Sequence, residues 1–64
     1  MKLYVEGMTA GAGVKVTGWL EYIDRIPFIC QRDPHCGVML YAVTKITRYI
    51  ECRDEEDFFE ETTD

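Results

Sequence analysis

Between residues 14 and 23 apolar and polar positions alternate, with Val14, Val16, Leu20 and Tyr22 on one face and Lys15, Thr17, Trp19 and Glu21 on the other. This period of two is that of a half-buried β-strand. Gly18 falls in its middle, where glycine marks a bulge or a sharp bend. Asp24-Arg25 supplies a short turn, and residues 26–32 resume as a strand with Pro27 near its start, where a missing N–H is tolerated. Asp33-Pro34-His35-Cys36-Gly37 carries strong turn chemistry between two strands. Upstream, residues 2–6 alternate weakly and predict a first strand ending at Gly7, and the glycine-rich run from Gly7 to Gly13 reads as a hairpin loop. Its G-x-x-x-G-x-G spacing is neither a Walker loop nor a dinucleotide fingerprint, and no helical pattern follows it.

Residues 38–43 are apolar and β-rich, and residues 46–52 alternate again after a break at Thr44-Lys45. A helix over 38–51 is the rival reading, because Met39, Val43, Ile46 and Ile50 are spaced four, three and four apart. Strands are favoured, since Val, Ile, Thr and Tyr dominate the segment and lose rotamer freedom in helices. Residues 54–61 suit either a short helix with Asp54 as its N-cap or an irregular tail. The expected architecture is mainly β: a small bent antiparallel sheet or barrel of four to five strands over residues 1–52, followed by an acidic C-terminal tail, 53–64. A curled sheet of this size protects its edges by closing.

Size limits what such a fold can do. A chain of 64 residues buries only about 60% of its unfolded surface, so most large apolar side chains are committed to a core and a deep catalytic cleft is not expected. At 47% apolar residues the chain exceeds what disordered proteins carry. No run approaches the roughly 20 apolar residues of a membrane span, and the N-terminus lacks the apolar stretch of a secretory signal. Three cysteines, an odd number, cannot all pair within one chain; a reducing, cytoplasmic setting is expected.

Charge is segregated. Residues 1–50 hold four acids and six bases, whereas residues 51–64 hold eight acids and Arg53 alone, so the tail accounts for the net charge of −5.

The stretch from Lys15 to Asp24 (KVTGWLEYID), a following apolar strand and turn, and then YAVTKITRYIE from Tyr41 to Glu51 resemble Sm-like and YolD-like small β-barrels over residues 14–52. The resemblance implies a barrel. Sm-like proteins hold RNA through loops after the acidic turn and before the last strand. Here Arg25-Ile26-Pro27 replaces the expected Asn, and no Arg-Gly pair precedes the final strand, so no RNA site is carried over.

Cys30, His35, Cys36 and Cys52 are the candidates for a zinc staple, which small domains exploit. Their spacing opposes it, because Cys30 and Cys36 do not form a usual knuckle and Cys52 stands alone. Buried, Cys30 and Cys52 would act as small hydrophobes. Cys36 beside His35 lacks an assignable acid or oxyanion donor, so neither an enzyme nor a cofactor is expected. Trp19, pointing away from the Val16 face, is a candidate interface residue.

The tail repels nucleic acid and suits a basic protein surface. The expected function is therefore that of a small acidic binding protein, an inhibitor that occupies the basic groove of a nucleic-acid-handling complex. Phage-encoded DNA mimics such as anti-CRISPR proteins share this size and charge. Its partner-binding residues would be Asp54, Glu55, Glu56, Asp57, Glu60 and Glu61 as phosphate surrogates, with Phe58, Phe59 and Trp19 as apolar contacts. The protein would be a monomer or homodimer, with no membrane and no direct nucleic-acid partner. The alternative is a nucleic-acid-binding or assembly module using Lys15, Arg25, Arg32, Lys45 and Arg48, autoinhibited by its tail; a zinc-stapled interaction module is the third reading.

Overall fold

The computed structural model describes residues 1–62, with side chains through Glu60. Four strands, β1 (Lys2–Thr9), β2 (Lys15–Ile23), β3 (Ile26–Asp33) and β4 (Gly37–Cys52), are followed by one helix, α1 (Glu55–Thr62). Every pairing is antiparallel, and β4 returns to β1, closing the sheet into a barrel. The helix considered over 38–51 is instead β4, a single strand of 16 residues. Its first part pairs with β3 and its second with β1, which is why the β-branched content of this segment outweighs its partly helical spacing.

Closing so few strands demands tight coiling, and four positions supply it. The β1–β4 register slips twice, at Thr47 and at Thr44. Each extra residue makes a bulge that increases local bend and twist. Their hydroxyls donate to the facing strand, Thr47 Oγ1 to the Glu6 carbonyl (3.0 Å) and Thr44 Oγ1 to the Met8 carbonyl (3.4 Å). The break in alternation at Thr44-Lys45 is thus a bulge within one strand. Gly7, expected to end β1, lies inside it, at a point where a Cβ would stand 2.8 Å from the Lys45 carbonyl oxygen. A Cβ on Gly18 would overlap the Cys30 carbonyl outright. At these two points backbone crosses where a side chain would stand.

The turns follow the residues. Ile23 faces Ile26, so Asp24 and Arg25 form a two-residue loop, both with positive φ (51° and 68°), as a primed hairpin turn requires. Asp33 Oδ1 accepts from the backbone N–H groups of His35 and Cys36 (2.7 and 2.9 Å). These bonds stabilise the carboxylate and hold the Asp33 pKa below its usual value.

Two apolar clusters result. Inside the barrel lie Val5, Val16 and Ile29, ringed by Leu3, Leu20, Tyr41, Val43 and Ile46. Outside it, on the opposite face of the same strands, lie Tyr4, Trp19, Cys30, Cys52 and Phe58, with Ile50 packed alongside. The alternation in β2 therefore serves both: Val16 and Leu20 fill the lumen and Trp19 belongs to the outer cluster, while Val14 and Tyr22 stay exposed near the strand ends. No helix among the described residues is long and apolar enough to cross a membrane.

Candidate partner-binding surface

The acidic tail folds back on the barrel. Asp54 caps α1, its Oδ1 accepting from the Asp57 backbone N–H at 3.1 Å, and Glu55, Glu56 and Asp57 occupy the first turn, where the helix dipole favours negative charge. Phe58 is fully buried. Its ring stacks on Tyr4 with centroids 5.6 Å apart and planes inclined by 24°, and it meets Phe59 edge-on at 5.5 Å.

Trp19 lies in the same cluster with 9% of its surface exposed. Two cations approach its ring, Lys2 Nζ at 4.3 Å and Arg32 Cζ at 5.6 Å from the centroid. Arg32 Nε also meets Glu55 Oε2 at 3.4 Å. Trp19 and Phe58, expected as apolar contacts for a partner, are buried together in the outer cluster, so in this structure neither presents free apolar surface. Phe59, 45% exposed, is the aromatic of the tail that remains accessible.

The tail carboxylates divide by position. Glu55 is half-buried against Arg32, and Asp54 is engaged in capping. Glu56, Asp57 and Glu60 are exposed. Asp57 and Glu60 join Glu51, Arg53, Met1, Ile50 and Cys52 around an open groove of about 350 Å³. A smaller one, of about 270 Å³, runs between Thr17, Gln31, Arg32, Glu55 and Phe59. The side chain of Glu61 lies outside those described.

The zinc candidates are not assembled. Cys30 and Cys52 are buried in the outer cluster, whereas His35 and Cys36 are exposed in the β3–β4 turn. Among the described residues no group of three or more His, Cys, Asp and Glu is arranged to hold a metal ion. Cys30 Sγ donates to Glu21 Oε2 at 3.3 Å. Burial, and then this bond to a carboxylate, push its pKa up to about 11, so the thiol stays protonated and a poor nucleophile. Burial, with help from Glu55 and against Arg32, raises the Tyr4 hydroxyl as well.

The chain matches no known protein family, curated protein or solved structure. Of the bases considered for a nucleic-acid surface, Lys15 pairs with Glu6 (3.7 Å) and Arg25 sits at a hairpin tip. Lys45 and Arg48 lie along β4, while Arg32 stands at Trp19. Sequence reasoning missed Lys2 and Tyr4. Their signal was the weak alternation of β1, which sends both to the face that Trp19 occupies in the neighbouring strand, where Tyr4 pairs directly with Trp19.

Proposed function

We propose that this protein is a small acidic binding protein that inhibits a nucleic-acid-handling complex by lodging the outer side of α1 in its basic groove. The observation that carries this reading is the fixed acidic ridge. With Phe58 seated, Asp57 and Glu60 stand beside Glu51 along one groove, and Glu56 is exposed on the same helix. Carboxylates held on a docked helix lose less freedom on binding than those of an irregular tail, which favours affinity. Phe59 adds exposed aromatic surface of the kind that interfaces use. Complementary charge would speed encounter with a cationic groove and weaken with salt. The size and charge are those of phage-type DNA mimics, and a cytoplasmic target fits that reading.

The test uses a triple variant, Glu56→Gln with Asp57→Asn and Glu60→Gln, which removes exposed charge and leaves the buried residues intact. Partners captured on the wild-type protein are loaded with labelled duplex DNA. Wild type displaces the DNA and the folded triple variant does not; displacement by both would overturn the proposal. Deleting residues 53–64 is unsuitable as a test, because it strips Phe58 from Tyr4 and Trp19 and changes the barrel surface along with the charge.

A further inference from the structure

The face beneath α1 has a chemistry that packing alone does not require. Tyr4 and Trp19 are directly paired across β1 and β2, and two cationic side chains converge on the single Trp19 ring. Aromatic rings flanked by Lys and Arg on a β-barrel surface are the components from which single-stranded nucleic-acid platforms are built, the rings stacking on bases and the cations meeting phosphates. We propose that this face is a binding site for single-stranded nucleic acid, closed by α1 acting as an internal substitute for that ligand.

The helix supplies the corresponding groups one by one. The Phe58 ring lies nearly parallel on Tyr4, as a base would, and the Glu55 carboxylate sits on Arg32, as a phosphate would. Charge has the right sign on each side. Residues 1–52 hold five acids and six bases, a net of +1, while residues 53–64 hold seven acids and one base, a net of −6. Removing the helix from the face removes its repulsion of phosphate.

Opening is also mechanically separate from the barrel. A helix of eight residues falls short of the roughly 12–15 needed for stability alone. Its contacts with the barrel include the buried Phe58 ring and an ion pair half open to water, and no strand pairing depends on it. The groove between Thr17, Gln31, Arg32, Glu55 and Phe59 reaches the edge of the site, so a strand can meet Arg32 before α1 leaves. This inference is independent of the inhibitory reading, which concerns the outer side of the docked helix and not the face beneath it.

Anisotropy of a labelled oligothymidylate of about 12 nucleotides, and of the matching oligouridylate, tests the idea on the full chain. Wild type should bind weakly, because only the open fraction is competent. Phe58→Ala should tighten binding about tenfold or more by raising that fraction, and Glu55→Gln about threefold. Both gains should fall with added salt and vanish when combined with Lys2→Gln and Arg32→Gln. Glu55→Gln leaves the aromatic cluster whole, so it carries the test even if Phe58→Ala unfolds. The proposal is overturned if folded Glu55→Gln binds no tighter than wild type, if the gain survives loss of Lys2 and Arg32, or if polyglutamate binds the variants as well as the oligonucleotides do.

Discussion

The two apolar clusters lie on opposite faces of the same strands and are sealed in opposite ways. The lumen holds small and branched side chains, Val5, Val16 and Ile29, and hydrogen-bonded backbone surrounds it. The outer cluster holds the largest rings, Tyr4, Trp19 and Phe58, and part of its cover is a short acidic helix. One is tight enough to require glycine where strands cross; the other is closed in part by a short helix outside the sheet. The two can therefore be perturbed separately, the lumen through the strands and the outer cluster through α1.

Gly18→Ala should have the largest effect, because the new methyl group would overlap the Cys30 carbonyl, which is backbone and cannot rotate away. A cost of about 3 kcal/mol is a large fraction of the stability expected for 64 residues, about 3–10 kcal/mol. Thermal melts should show a melting temperature lowered by more than about 10 °C, and a cooperative melt near the wild-type temperature would refute this account of the lumen.

Phe58→Ala comes next. The usual cost of such a truncation is about 3–5 kcal/mol, but here it is capped by the docking energy of α1, since the helix can leave and spare the barrel the cavity. Trp19 emission should shift to the red, while hydrogen exchange in the strands that enclose Val5 and Ile29 stays slow. Loss of strand protection to the same extent as helix protection would merge the two regions into one cooperative unit.

Thiol labelling at pH 8 sharpens the same division. Cys36, exposed in its turn, should react at once, whereas Cys30 and Cys52 should react only as their cover opens. In Phe58→Ala the Cys52 rate should rise, and Cys30 should lag behind because burial and the Glu21 carboxylate hold its pKa at about 11. Asp54→Ala should cost about 1 kcal/mol through the lost cap. That loss should appear in α1 protection and not in the strands.

The smallest effect concerns neither cluster. The folded-state pKa of Asp33 is depressed by two backbone N–H donors, so its contribution is present above the unfolded pKa of about 3.9 and is lost as pH falls through the lower folded value. The difference in melting temperature between wild type and Asp33→Asn should be greatest near neutral pH and should fade below about pH 4. A constant difference would show that the charge plays no part.

Much of this was legible in the residues. Alternation in β2, the Asp24-Arg25 turn and the Asp33–Gly37 turn each arise from local chemistry, and they appear where that chemistry puts them. What stayed hidden depends on pairing across the chain. The break at Thr44-Lys45 reads the same whether it is a turn or a bulge, and only the register with β1 decides it. The period of two puts Trp19 on the face away from Val16, yet its exposure depends on whether Phe58, 39 positions later, comes to rest there. An aromatic pair among acids carries no local mark that says which ring turns inward; here α1 starts after the Asp54 cap, Phe58 turns in and Phe59 stays at the rim.

Because β4 reaches back to β1, each strand has a hydrogen-bonded neighbour on both sides over at least part of its length. Open rims of donors and acceptors are what allow sheets to template one another into stacks and filaments. Over the paired stretches the sheet offers no free backbone for a second copy to extend, which leaves side chains as the means of contact there. Closure of the sheet involves no residue of α1, so this protection of the strand edges belongs to the barrel itself.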